Sequence, residues 1–315
     1  MAPVSRLAIA ILVLGSTVAS ARANPALWVT RSPTAVVYVF GTMHVLPKGA
    51  HWHFPALDRA LAASRSLYVE EDDESHVETE ALILKYGITP VDRANVKAML
   101  NFDSVYTNDV TVMGNPYVLS GEMDSSDQAK LRTAVTQSRI TDGMTMVQAM
   151  KPWLAALILA NAAMRGAGYE PTFGVDSKLE REFRAQHKPV HSLETAQDQI
   201  TLFAKAPHSV QLDLLKAVLG DRTRGYVQVA QLAHDWLAGN AAAIASALNG
   251  SLRSDYPALY ATLIVQRNRY FAQRIKKLLD RHGTFFVAIG AAHLAGPDSV
   301  QVQLEKLGVD TSRVH

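Results

Sequence analysis

Two apolar runs frame the chain, Ala35-Val36-Val37-Tyr38-Val39-Phe40 near its start and Thr284-Phe285-Phe286-Val287-Ala288-Ile289 near its end. Both are rich in β-branched and aromatic residues and too short for a buried helix, so they predict buried strands. Each leads into a tetrad of the same outline, Gly41-Thr42-Met43-His44 and Gly290-Ala291-Ala292-His293. Glycine at a strand end lets the backbone turn sharply or approach a ligand closely. A polar residue just beyond it points into the crevice where open α/β sheets bind ligands. G-x-x-H alone is a weak pattern, but its repetition in matched strand contexts predicts two imidazoles at one site.

Between the tetrads the pattern alternates. Trp28-Val29-Thr30 and Val36 to Phe40 form a predicted hairpin that turns at Arg31-Ser32-Pro33-Thr34. Pro55 to Ala63 is a helix with Leu57 and Leu61 at i, i+4 spacing, and Ser66 to Val69 is a short strand ending in Glu70-Glu71-Asp72-Asp73-Glu74. From about Glu78 to Met150 the pattern weakens into short helices and turns. Lys151 to Arg165 is strongly apolar, but only 13 residues separate those two charges, so it is a core helix and not a membrane span. Asp176 can cap a helix that turns Leu179 and Phe183 inward and ends before Lys188-Pro189. A strand at Val190 to Leu193 then delivers Glu194. Thr195 to Arg281 reads as successive helices, the longest from about Pro257 to Arg281, forming a cap over the sheet or its outer layer. A helix near Asp298 to Leu307 and a final strand follow the second tetrad. The expected class is α/β or α+β: a central mixed β-sheet flanked by helices, with a large helical segment, about 195–281, between the two G-x-x-H halves.

The N-terminus changes the charge picture. A basic region ending at Arg6, an apolar stretch from Leu7 to Val18 and the small-x-small site Ala21-Arg22-Ala23 have the layout of a Sec-type signal peptide cleaved after Ala23, which predicts a periplasmic or secreted protein. Arg6 and Arg22 leave with it and no acid does, so Lys+Arg falls from 31 to 29 and equals Asp+Glu at 29. A neutral mature chain gives no general attraction to nucleic acid, and no membrane-spanning segment is expected in it. The length of residues 24–315 suits one large domain or two small ones, and a single domain is expected. Cysteine is absent, which removes disulfides, lipoprotein acylation and thiolate ligands, so a metal would have to rest on histidine and carboxylate.

His44, the cluster at Glu70, Asp176 with Glu194, and His293 therefore stand at strand ends or helix starts. Two neutral imidazoles with one or two carboxylates suit Zn, Mn or Co, and an open position on such an ion lowers the pKa of bound water. The plainer alternative is that each histidine is a hydrogen-bonding residue at a strand end, and Asp176 only a helix cap. His51-Trp52-His53 places two more histidines nearby, more in keeping with a loop than a site. Glu71 to Glu74 suits a solvated acidic face. Lys151-Pro152-Trp153 suits a helix start with the tryptophan packed inward. H-E-x-x-H, G-x-S-x-G and P-loop signatures are missing.

Taken in order, Asn24-Pro25-Ala26-Leu27-Trp28, the first tetrad, Glu70, Lys151-Pro152-Trp153, Gly174-Val175-Asp176, Leu193-Glu194-Thr195 with Gln199, Arg267-Asn268, and Gly290-Ala291-Ala292-His293-Leu294 with Gly296 resemble the TraB/GumN family across nearly the whole mature chain. That family includes the Tiki metallopeptidases, and its fold resembles the erythromycin esterase and ChaN group. The resemblance implies a divalent-metal hydrolytic site, Mn or Co favoured and Zn admissible, on His44, Glu70 and His293, with Asp176 a further candidate ligand. Side chains alternate along a strand, so only one of Glu70 and Glu71 should face the site, and Glu70 directly follows the strand. Glu194 is a candidate base. Arg267 could hold a substrate carboxylate or a developing oxyanion, and Asn268 could orient a ligand or a water. The expected activity is peptidase-like hydrolysis of a peptide or other small molecule. The alternatives are a non-catalytic binding or regulatory protein on the same scaffold, since relatives are tied by name to polysaccharide clusters and pheromone shutdown, or a metal-free site for a small anion at Arg267.

Overall fold

A computed structural model describes residues 24–71, 76–88, 118–140, 142–220 and 222–314. The expected signal segment, Asp72 to Glu74 and part of the stretch from Glu78 to Met150 lie outside the described residues. The strands are β1 (Leu27–Arg31), β2 (Ala35–Thr42), β3 (Leu46–Pro47), β4 (Ser66–Val69), β5 (Tyr169–Glu170), β6 (Val190–Ser192), β7 (Gly283–Gly290) and β8 (Ser312–Val314). Six of them form one mixed sheet in the order β6-β4-β7-β2-β1-β8, and β3 pairs with β5. Within the six, β6, β4, β7 and β2 run parallel, β1 is antiparallel to β2, and β8 is antiparallel to β1.

The two apolar runs lie side by side at the centre of this sheet. β2 and β7 pair along their whole length, from Ala35 opposite Gly283 to Thr42 opposite Gly290. Both faces are covered, as a parallel sheet requires. Val37, Val39, Phe285, Val287 and Ile289 pack with Phe271 and Ile275 of helix Arg267–Leu279, while Phe40, Phe286 and Ala288 pack with Leu57, Phe183 and Trp236. A third core is mainly helical and gathers around Trp153, which is fully buried and stacks on Phe203 at 6.2 Å. Leu82, Leu131 and Val147, from helices in the weakly patterned stretch, are buried there beside Leu215 of helix His208–Leu219. The long helical segment between the tetrads thus divides. Residues 196–219 join that helical core, and Arg267–Leu279 forms an outer layer on the sheet.

Several boundaries differ from the pattern-based ones. β2 and β7 run two and one residues further, into the tetrads, because ladder pairing continues through Thr42 and Gly290. The helix expected over Pro257 to Arg281 contains a π-helical turn at Ala261–Gln266 between Pro257–Tyr260 and Arg267–Leu279, and a second such turn spans Ala245–Gly250. Hydrophobic periodicity is too coarse to register one extra residue in a turn. Among the described residues no helix is long and apolar enough to cross a membrane.

Candidate functional site

Because β2, β4, β6 and β7 run parallel, their C-terminal ends share one edge of the sheet. His44 lies two residues past β2, Glu70 directly follows β4, Glu194 lies just past β6, and His293 sits in the 3-10 turn Ala291–Leu294 after β7. Pairing continues beyond β4 and β6 through Leu193 N to Val69 O at 2.7 Å and Glu194 N to Glu70 O at 2.8 Å, which sets the two glutamates next to each other. Glu71 turns elsewhere and accepts from the Thr79 hydroxyl at 3.1 Å.

The two tetrad glycines have different jobs. A Cβ on Gly41 would stand 3.2 Å from Ala291 Cα, so this glycine lets the first turn pack on the second. A Cβ on Gly290 would stand 3.2 Å from His44 Nε2, 3.3 Å from Glu70 Oε1 and 3.7 Å from His293 Cδ2. Its missing side chain leaves a cradle lined by those three residues. Gly174 serves the same region from outside. A Cβ there would overlap the His44 carbonyl oxygen and come within 2.8 Å of Pro171 O, while Val175 N donates to Met43 O at 2.9 Å. Gly174→Ala is therefore expected to cost about 3 kcal/mol, the upper end for overpacking, in a denaturant titration.

The histidines, alike in sequence, sit in unlike surroundings. His293 is buried and edge-on to Phe271 at 5.2 Å. Asn268, fully buried, donates from Nδ2 to Asp298 O at 2.7 Å, which turns its Oδ1 toward His293 Nδ1 at 2.6 Å. Nδ1 is then the protonated nitrogen, and Nε2 keeps a lone pair that accepts from Arg267 Nη1 at 3.1 Å. Burial, reinforced by Arg267 and His44 and opposed by Glu70, lowers the His293 pKa to about 4. His44 is 62% exposed, and its Nδ1 donates to Asp176 Oδ2 at 2.9 Å. Asp176 lies in the first turn of helix Val175–Ala185 but makes no capping bond; its other oxygen accepts from Thr42 Oγ1 at 2.7 Å. The Asp176 charge raises His44 to about 9 against desolvation, with water at the exposed ring screening part of that attraction.

Arg267 ties the rest together from helix Arg267–Leu279. Its Nη2 donates to Glu70 Oε2 at 2.5 Å and Glu194 Oε2 at 2.8 Å, and its Nε donates to Glu194 Oε1 at 3.1 Å. Glu70 Oε1 accepts from Gly290 N at 2.6 Å. Burial would raise the Glu70 pKa, but Arg267, then His293, His44 and the Gly290 N–H, hold its carboxyl well below the usual range. Burial dominates at Glu194 and pushes its carboxyl up in spite of Arg267. His44, Glu70, Asp176, Glu194, Arg267, Asn268 and His293 thus meet at one place. His53 does not; it pairs with Asp58 at 2.6 Å and Glu182 at 3.4 Å, while the adjacent Trp52 is buried against Phe40.

Two supporting residues escape the motif reading. Trp236 Nε1 donates to Gly41 O at 2.7 Å and clamps the first tetrad. Asn249, within a π turn, donates to Ala292 O at 3.0 Å and Ala295 O at 3.1 Å and clamps the second. Both act over long sequence separations that no local spacing reveals. π-helical turns often mark functional sites, and both of these flank this one. Trp236→Phe leaves a buried carbonyl without its donor and is expected to cost about 1–3 kcal/mol in thermal or chemical unfolding.

Several features suit a divalent ion. Each imidazole has Nδ1 tied to an outer acceptor, the usual arrangement around metal-bound histidine. His293 Nε2 and Glu70 Oε1 are 3.8 Å apart, close to the roughly 3.4 Å between two ligands bound at about 2.1 Å to one tetrahedral ion. The carboxylates Glu70, Asp176 and Glu194 outnumber the Arg267 guanidinium and the His44 ring, which Asp176 favours in its charged form, and a dication would balance the charge once His44 gave up its Nε2 proton. As the side chains stand, no three His, Asp or Glu among the described residues close on a metal position. Arg267 takes the His293 lone pair that an ion would use and one of the two oxygens of Glu70.

Comparison with known proteins supports the family resemblance. The chain is similar to the uncharacterized protein YbaP of Shigella flexneri, 23% identical over 278 residues, which cover 85% of this chain and 99% of the relative. It is also similar to the uncharacterized YbaP of Escherichia coli strain K12, 22% identical over 278 residues with the same coverage. No solved structure matches it. The TraB/PrgY/gumN family model matches residues 26–104 and 115–313, a span that includes every member of the site, and the chain belongs to that family.

Proposed function

We propose that the protein is a metal-dependent hydrolase, peptidase-like in its chemistry, acting on a peptide or other small acyl substrate in the periplasm or outside the cell. The observation that carries this reading is the convergence at Gly290, where a Cβ would stand 3.2 Å from His44 Nε2, 3.3 Å from Glu70 Oε1 and 3.7 Å from the His293 ring. His44, Glu70 and His293 would hold the ion, with Mn or Co the first choices and Zn the next. Such an ion supplies Lewis acidity and an acidified water.

The chain's own groups have distinct tasks around it. Asn268 fixes the tautomer of His293, and Asp176, itself held by Thr42, orients the His44 ring through Nδ1. Arg267 brings a fixed positive charge for an oxyanion or a substrate carboxylate. Glu194, with its carboxyl pushed up by burial, is placed to hold a proton, and Arg267 keeps it in place. The exposed side of His44 leaves the position open to solvent and substrate.

The test is a panel of peptides and esters with added Mn or Co, comparing wild type with Glu70→Gln. The reading predicts metal-dependent turnover in wild type and a loss of at least a hundredfold in the variant. Equal, near-zero turnover in both, with metal bound, would favour a binding or regulatory role instead. Asp176→Asn, which removes the charged anchor of His44, is expected to weaken Mn binding by roughly 10–100-fold in a calorimetric titration.

A further inference from the structure

Arg267 is placed where a ligand-binding arginine would not need to be. It donates into the lone pair of His293 and onto Glu70, two of the groups proposed to hold the ion. Neutral imidazole has one free lone pair, and at His293 it is on Nε2 because Asn268 fixes the proton on Nδ1. That lone pair cannot serve Arg267 Nη1 and a metal ion together. Glu70 is similarly committed, with Oε1 on Gly290 N and Oε2 on Arg267 Nη2.

The guanidinium nevertheless has a second hold. Its Nε reaches both oxygens of Glu194, at 3.1 and 3.2 Å, and Nη2 reaches Oε2 at 2.8 Å. This fork does not involve either proposed ligand. Arg267 can therefore give up His293 and Glu70 while keeping Glu194.

We propose that Arg267 is a resident cation of the metal-free site, that a divalent ion enters by displacing its guanidinium from His293 Nε2, and that the arginine, still held by Glu194, then turns Nη1 to the anionic group of the substrate. The proposal rests on the metal-site reading above. It makes Arg267 a competitor of the ion in the resting protein and a substrate-binding group in the loaded one. Apparent metal affinity is then lowered by the guanidinium, since only the fraction of molecules with a vacated His293 lone pair binds.

The competition fixes the sign of an experiment. Calorimetric titration with Mn alone should show Arg267→Gln and Arg267→Lys, each checked for folding by circular dichroism, binding at least tenfold tighter than wild type. Affinity equal to or weaker than wild type would overturn the proposal, because a merely supporting arginine weakens the site when removed. If the variants do not fold, wild type answers by itself. Modification of Arg267 by phenylglyoxal, mapped by mass spectrometry, should rise when Mn is added; an unchanged or reduced yield would overturn the proposal. Absence of Mn binding in wild type and variants alike would instead remove the metal-site reading and this inference with it.

Discussion

Replacing Arg267 with methionine is expected to lower the stability of the metal-free protein by about 3–5 kcal/mol, the usual effect of removing one partner from a buried ion pair. The side chains of Arg267, Glu70 and Glu194 are only 12%, 8% and 7% exposed, so the two carboxylates would remain buried beside each other without the guanidinium that neutralises them most. Methionine fills much of the volume and keeps packing against Phe271, over which Arg267 Cζ lies at 5.1 Å, so the loss is electrostatic and not a cavity effect. Denaturant titration at neutral pH measures it. A loss below about 1 kcal/mol, the range of an exposed pair, would contradict the central place given to this guanidinium. Mn should restore part of the lost stability, since a ligand bound only by the native state stabilises it by mass action.

Gly290→Ala should do the opposite, leaving the fold nearly intact while emptying the site of function. The backbone of Gly290, at φ −52° and ψ 136°, is ordinary for alanine, and its N–H can still donate to Glu70. The added methyl would stand 3.2 Å from His44 Nε2 and 3.3 Å from Glu70 Oε1, inside the cradle. Mn affinity and metal-dependent turnover are expected to fall more than tenfold, with an unfolding midpoint close to wild type. Gly41→Ala is the control: its Cβ meets the Ala291 backbone, so it should cost about 1–3 kcal/mol through packing of one tetrad on the other. Equal effects of the two substitutions on metal binding and stability would remove the distinction between the two glycines.

Much of this arrangement is visible in the chain before folding is considered. A strand that is buried on both faces must be apolar throughout, so β2 and β7 announce themselves, and the polar residues that follow mark the ligand-binding edge. Glu70 and Glu194 are found by the same reasoning at the ends of shorter strands. The inequality of His44 and His293 is not visible, because it depends on Asp176 and on Asn268, which come from helices far along the chain. Asp176 illustrates the limit most clearly. In a first helical turn it suits a cap, yet the fold turns its two oxygens onto Thr42 and His44. The π turn before Arg267 and the clamps from Trp236 and Asn249 are invisible for a related reason, since periodicity reports which face is buried and not which polar atom meets another across the fold.

The central claim is that His44 and His293 are two ligands of one ion. Equilibrium dialysis against Mn followed by metal analysis tests it most directly, on wild type, His44→Ala and His293→Ala. Wild type is expected to hold about one ion per chain, as for a single such site, and both folded variants to lose it. Folded variants that retain the wild-type stoichiometry and affinity would contradict it.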